Sequence, residues 1–460
     1  MSLIKSISGI RGTIGGSVDD NLTPLDVVKF TSAYGTWLQN SKNKRNLKVV
    51  IGRDARLSGS MVSSLVSATL QGLGIDVIDL GLSTTPTVEV MVPELKADGG
   101  IILTASHNPK EWNALKLLND KGEFISGENG AELLKIAHEE SFDYASVDEL
   151  GSYETNDTAI ALHIEKILDL PMVNQEAIKE KKFKVVLDAV NSTGGISMVP
   201  LLEQLGCEVV QLYCEPTGHF PHNPEPLKEH LTDICNLVKE QKADLGLVVD
   251  PDVDRLAIVD ENGEMFGEEY TLVAVADYLL KHKNGVAISN LSSSRALRDI
   301  ANRHNSFYQA SAVGEVNVVT LMKEKNAVIG GEGNGGIIYP ELHYGRDSLV
   351  GTALFLTHLV ETGMSVSELR ASYPAYFMGK KKMQLTPEID VDAVLSKVEQ
   401  AFQGEEISTV DGVKIDFADS WVHLRKSNTE PIIRIYTEAF SQDQADALAD
   451  EMIQKIKALL

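Results

Sequence analysis

At 460 residues the chain is too long for one hydrophobic core, and its 43% hydrophobic against 23% charged residues suits several ordinary globular ones. No apolar run reaches the ~18 residues that span a bilayer, and Met1-Ser2-Leu3-Ile4-Lys5 lacks a signal-peptide core, so a soluble cytoplasmic protein is expected. The formal charge of −24 argues against nonspecific binding to nucleic acid or anionic membrane, so an anionic small-molecule substrate would need local Arg and Lys clusters.

In chain order, Lys48–Ile51 reads as a strand, Ser60–Gly72 as a helix and Leu73–Leu80 as the returning strand. The apolar strand Gly100–Thr104 runs into Thr104-Ala105-Ser106-His107-Asn108-Pro109, where a serine hydroxyl meets a turn forced by Asn108-Pro109. Such a serine is either a turn cap or a nucleophile beyond the carboxyl end of a strand, where α/β sheets collect ligands. A second strand–helix–strand unit spans Lys184–Leu187, Ile196–Gly206 and Leu205–Leu212. Cys207, Cys214 and Cys235 fall around it, odd in number and without a Cys-x-x-Cys pair, and are read as reduced thiols.

The strand Leu245–Val249 then leads into Asp250-Pro251-Asp252-Val253-Asp254-Arg255. If the backbone stays extended, the three carboxylates share one face. They form either a solvated acidic turn or an all-oxygen site for a hard cation, for which Mg²⁺ with a phosphate ligand fits best. A calcium loop is excluded because Arg255 stands where its glycine must be and Leu256–Val259 continues as a strand.

A weaker third unit runs from Gly285–Ile288 through a helix from about Arg295 to Phe307-Tyr308. After Ala327–Ile329 comes Gly330-Gly331-Glu332-Gly333-Asn334-Gly335-Gly336, a tight turn or a loop whose Glu332 and Asn334 suit vicinal hydroxyls. It is neither a dinucleotide fingerprint nor a P-loop. The last ~90 residues change character, with strands Trp421–Leu424 and Ile432–Tyr436 and a helix over Asp443–Leu459, and read as an α+β domain. Between those strands, Arg425-Lys426-Ser427-Asn428-Thr429-Glu430-Pro431 forms a polar turn or a phosphate cradle.

These four elements in this order, with Ser8-Gly9-Ile10-Arg11-Gly12 and Gly218-His219-Phe220-Pro221, resemble the α-D-phosphohexomutase superfamily over the whole chain. The resemblance implies an α/β fold of three repeated mixed α/β domains plus a C-terminal α+β domain around a central active-site cleft. The expected boundaries are 1–150 for the phosphoserine domain, 151–255 for the metal-loop domain, 256–372 for the sugar-loop domain and 373–460 for the phosphate-binding domain. It implies that Ser106 carries a phosphoryl group between the two ends of a hexose phosphate through a sugar 1,6-bisphosphate, which also primes the serine.

By the same resemblance, Mg²⁺ is held by Ser106, Asp250, Asp252 and Asp254, while Arg11 and Arg255 stabilise nearby oxygens. Lys116 matches the proton-transfer group, and His107 either orients the phosphate or braces the loop. Glu332 and Asn334 bind the sugar, and Arg425, Ser427, Asn428 and Thr429 hold the nonreacting phosphate. Gly336 replaces the His of many relatives, which points to phosphoglucosamine mutases and their phosphomannomutase/phosphoglucomutase relatives, glucosamine phosphate being the first choice. An Asp-nucleophile phosphatase and a noncatalytic sugar-phosphate-binding protein are the alternatives from other classes. A monomer or a homodimer is expected.

Overall fold

The structure is a computed structural model that describes residues 2–6, 9–385, 389–426 and 432–459. It divides into two compact units, Met1–Thr271 with Asn334–Ser367 and Leu272–Gly333 with Glu368–Leu460, so the chain passes between them three times.

The first unit opens with a seven-stranded sheet made of β1 (Ile4–Ser6), β2 (Gly9–Thr13), β3 (Lys48–Arg53), β4 (Asp76–Leu82), β5 (Gly99–Leu103), β6 (Trp112–Leu118) and β7 (Tyr153–Thr155). Their order is β1-β2-β6-β5-β3-β4-β7. β3 pairs in parallel with both β4 and β5, whereas β6 is antiparallel to β5 and β2. Alternation along the central strands makes two cores. Val49, Ile51, Ile101 and Leu103 bury on one face with Phe30 and Leu38 of the helix Pro24–Lys42, and Val50 and Ile102 bury on the other with Val88 and Met91 of the helix Thr85–Glu94. Thr23 and Asp26 form a capping box that starts the first of these helices, and Pro24 supplies a first-turn residue whose missing N–H costs nothing there.

The same unit holds a four-stranded sheet of β8 (Lys184–Asp188), β9 (Glu208–Leu212), β10 (Leu245–Val249) and β11 (Leu256–Val259), in the order β11-β10-β8-β9. β8 is parallel to β9 and β10, and β10 is antiparallel to β11. The hairpin between β10 and β11 carries the three aspartates.

In the second unit, β12 (Val286–Asn290) lies between β13 (Phe307–Ser311) and β14 (Ile329–Glu332), parallel to both. The chain rejoins the first unit at Asn334, with β15 (Gly336–Ile338) and the buried helix Ser348–Thr362. It then completes the second unit with β16 (Phe377–Gln384), β17 (Glu406–Ser408), β18 (Val413–Asp416), β19 (Trp421–Lys426) and β20 (Ile432–Ala439). These form an antiparallel sheet in the order β16-β20-β19-β18-β17, covered by the helices Val391–Ala401 and Gln442–Leu459.

Candidate active site

The serine loop leaves β5 as the sequence suggests, and its conformation is unusual. Ser106 has φ +50°, in the left-handed region that side chains with a Cβ rarely adopt, and it is only 6% exposed. Local bonds hold it there. The Ser106 amide donates to Thr104 Oγ1 at 2.9 Å, and the Thr104 hydroxyl donates to Asp54 Oδ2 at 2.7 Å.

Arg56, which the sequence reading did not single out, pins the rest of the loop. Its guanidinium donates to the carbonyls of Pro109 (2.7 Å), Trp112 (3.0 Å), Asn108 (2.7 Å) and Ser106, and to Asp54 Oδ2 (3.0 Å). Its face lies 5.2 Å from the centre of the Phe220 ring, in the Gly218–Pro221 turn. A side chain at Gly218, where φ is +72°, would overlap the Ala55 carbonyl, which explains the glycine.

The three aspartates converge on this serine, but not by strand alternation. Residues 251–253 turn, and Val253 at φ +64° reverses the backbone. That turn lets Asp250 Oδ1 accept the amides of Asp254 and Arg255, each at 3.1 Å, while its Oδ2 accepts the Ser106 hydroxyl at 2.7 Å. Asp252 Oδ2 accepts Thr85 Oγ1 at 2.5 Å and Lys116 Nζ at 2.7 Å. Asp254 Oδ2 accepts Arg346 Nη2 at 2.7 Å and Lys116 Nζ at 3.3 Å. Lys116 arrives on β6, opposite Ile102 of β5.

All three carboxylates are fully buried, and Asp252 Oδ1 and Asp254 Oδ1 have no hydrogen-bond partner among the described residues. Buried anionic oxygens without a partner are costly, and an all-oxygen donor set beside a phosphorylatable hydroxyl fits a hard divalent cation. One oxygen from each of Asp250, Asp252 and Asp254 lies within 4.8 Å of the other two.

The electrostatics separate the roles. Burial and the two neighbouring carboxylates push Asp250 well above the usual carboxylate range. Burial works the same way on Asp252, yet the adjacent Lys116 ammonium outweighs it and holds that carboxyl low. Burial alone would lower the Lys116 ammonium, but Asp252 and Asp254 hold it above the usual lysine range, so it is held as the ammonium. His107 is the opposite. Burial and the Arg255 guanidinium push it down to about 3, so the ring is neutral, with Nδ1 3.3 Å from Ser106 Oγ.

Arg11 donates to Asn108 Oδ1 at 3.2 Å, and its pKa is lowered by burial and by Arg255. Two mutually repelling guanidiniums beside a serine suit an anion between them. Arg255 Nε is buried without a partner among the described residues, while its Nη1 lies 3.6 Å from Glu225.

The other residues singled out in the sequence fall in one unit or the other. Glu332 belongs to the second, where its Oε1 accepts Asn290 Nδ2 at 2.9 Å and the Gly314 amide at 3.3 Å. Asn334 belongs to the first and accepts the Gly336 amide at 3.2 Å. Arg425, in the second unit, pairs with Asp411 at 2.8 Å. Ser427, Asn428 and Thr429 lie outside the described residues.

Arg346 was not anticipated either; its only signal is the Gly345-Arg346-Asp347-Ser348 run before an apolar helix, which reads as a helix cap. Asp347 is indeed that cap, accepting the amides of Leu349 and Val350. Its other oxygen meets His163 Nε2 at 3.0 Å and His343 Nε2 at 3.3 Å, and His163 Nδ1 meets Thr87 Oγ1 at 3.0 Å. Asp347 and the two histidines thus brace the start of the helix, while His343 Nδ1 is buried without a hydrogen-bond partner among the described residues.

Four family profiles match in chain order: phosphoglucomutase/phosphomannomutase α/β/α domain I over residues 3–144, domain II over 161–263, domain III over 267–376 and the C-terminal domain over 380–455. The chain belongs to this family. Among phosphoglucomutase/phosphomannomutase relatives it is 38% identical over 440 residues to a "Phosphoglucomutase/phosphomannomutase" of Thermococcus kodakarensis, covering 94% of this chain and 95% of that one. It is 32% identical to a "Probable phosphoglucosamine mutase" of Methanopyrus kandleri, covering 98% and 97%. A solved phosphoglucomutase/phosphomannomutase family protein from Burkholderia thailandensis superposes with a TM-score of 0.86 at 26% identity, covering 99% of this chain and 98% of that one. The protein is thus a phosphohexomutase, an isomerase of sugar phosphates. No helix among its described residues is long and apolar enough to cross a membrane.

Proposed function

We propose that this phosphohexomutase interconverts hexose 6-phosphate and hexose 1-phosphate through phosphorylated Ser106 and a sugar 1,6-bisphosphate, with glucosamine phosphate as its substrate. The observation that carries the reaction is the Ser106 hydroxyl set 2.7 Å from Asp250 within the ring of three aspartates. A sugar hydroxyl attacks the phosphorus of phosphoserine, the bond from phosphorus to Ser106 Oγ breaks, and the proton released by the hydroxyl is balanced by one delivered to Oγ. Lys116, held protonated, is the donor on this side, and neutral His107, its Nδ1 3.3 Å from Oγ, is a proton acceptor next to Asp250. Arg11 and Arg255 bind the phosphoryl oxygens.

Asp250, Asp252, Asp254 and a phosphoserine oxygen would hold Mg²⁺, which supplies charge neutralisation for phosphoryl transfer when bound. The bisphosphate then turns end for end and returns its other phosphate to Ser106. Glu332 and Asn334 are assigned to the sugar hydroxyls, and Arg425 with Ser427, Asn428 and Thr429 to the nonreacting phosphate.

Support for glucosamine comes from relatives named probable phosphoglucosamine mutase, in Methanopyrus kandleri and elsewhere. The 38% identity to the Thermococcus protein favours a second reading, glucose and mannose phosphates. Turnover of glucosamine, glucose and mannose phosphates with Mg²⁺ and a trace of bisphosphate decides between them: preference for either of the last two overturns the glucosamine assignment. Phosphopeptide mapping after bisphosphate treatment is expected to find phosphate on Ser106, and Ser106→Ala is expected to lose roughly 10⁴-fold or more in turnover. Phosphate on Asp250 instead would mark an Asp-nucleophile phosphatase, and no transfer at all a binding protein.

A further inference from the structure

We infer that Arg346 is a positioning residue that makes the three-aspartate loop discriminate Mg²⁺ from Ca²⁺. The inference rests on the cation of the proposed reaction and concerns how the carboxylates are presented to it. Each of the two inner aspartates has one oxygen committed to protein. Asp252 Oδ2 is taken by Lys116 and Thr85, and Asp254 Oδ2 by Arg346 at 2.7 Å with Lys116 farther off at 3.3 Å. Their Oδ1 atoms are the buried ones without partners. Both carboxylates are therefore held to offer a single oxygen.

That presentation matters because the two ions differ in what they ask of a carboxylate. Mg²⁺ takes a rigid octahedron at about 2.0–2.1 Å with few protein ligands, whereas Ca²⁺ takes six to eight oxygens at about 2.3–2.6 Å and readily accepts a bidentate carboxylate. With Oδ2 of Asp254 locked, the bidentate mode is closed.

The lock is built into the chain. Arg346 is 8% exposed, and its stem crosses Gly336 so closely that a Cβ there would overlap Arg346 Cδ. Gly336 has an ordinary backbone, so its missing side chain makes room for the arginine rather than for a turn. Lys116 contributes to the same lock, but its place in proton transfer makes it a poor probe; Arg346 separates the two functions.

The experiment is calorimetric titration of the full-length protein with Mg²⁺ and, separately, Ca²⁺, for wild type, Arg346→Met and Gly336→Ala, with circular dichroism to confirm folding. Loss of a cation neighbour strengthens both ions alike, so the ratio of the two dissociation constants is the readout. In Arg346→Met that ratio is expected to move toward Ca²⁺ by about tenfold or more, the scale on which groups orienting metal ligands act. Gly336→Ala, which displaces the guanidinium without deleting it, is expected to move the ratio the same way and carries the test if the first variant does not fold. A smaller shift, or equal gains for both ions, overturns the inference while leaving the proposed reaction intact. Asp252→Asn distinguishes the other failure: if wild type shows no cation site that this variant weakens, the cation of the proposed reaction falls and the inference with it.

Discussion

A single histidine shows how burial writes pH dependence into the second unit. His423 on β19 is 1% exposed, with Nδ1 2.9 Å from Ser292 Oγ and Nε2 2.7 Å from the Asp411 carbonyl. Burial pushes it down to about 4, the Asp411 carbonyl opposing and the Lys414 and Arg425 charges assisting. A depressed histidine pKa means that the unfolded chain takes up the proton first. The stability is therefore present above the unfolded value of ~6.5 and drains away as pH falls toward the folded one, by up to about 3 kcal/mol at 1.36 kcal/mol per unit. Denaturant melts between pH 7 and 4.5 are expected to show this slope in wild type and a flatter one in His423→Asn; identical slopes would dissociate His423 from the acid sensitivity. The residue scale also marks the limit of motif reading. Ser106 and the three aspartates stand out because each loop follows a hydrophobic strand, whereas Lys116 is marked only by the family resemblance. Arg346 does not stand out, since its partner Asp254 lies far away in sequence.

At the scale of elements, the serine loop is held by a neighbouring turn rather than by its own sequence. Arg56 holds four carbonyls of the segment 106–112, and no local pattern in Thr104–Pro109 reveals that. Replacing it with Met leaves several buried acceptors without donors, at about 1–3 kcal/mol each. Amide hydrogen exchange over residues 105–112 is expected to speed up by roughly tenfold or more, while that of the helix Pro24–Lys42 stays unchanged. Uniform acceleration across the first unit would instead make Arg56 a general stabiliser. Strands and helices were legible where hydrophobic periodicity was strong. The helix expected over Ser60–Gly72 spans Gly59–Gly72, and that expected over Asp443–Leu459 spans Gln442–Leu459. The aspartate loop was legible in composition but not in shape. Extended backbone and a tight turn both bring three carboxylates together, and Val253 in its left-handed conformation selects the turn.

At the scale of the molecule, one part is continuous in sequence. The sheet of β16–β20 closes its own core, from Met383, Val394 and Val398 to Ile435, Met452 and Ile456. A fragment of residues 376–460 is expected to melt cooperatively on its own, read by far-ultraviolet circular dichroism. A sloping, noncooperative loss of signal would mean that this sheet depends on the rest of its unit.

The three chain passages have a consequence for synthesis. The first unit needs Asn334–Ser367, yet the ribosome must first make Leu272–Gly333, which belongs elsewhere. At roughly 5–20 residues per second that takes about three to twelve seconds. During that interval His163 has emerged without Asp347, and Asp254 without Arg346. The nascent first unit thus waits with Asp254 lacking one of its two cationic partners and one helix bed open, a window in which a chaperone can act.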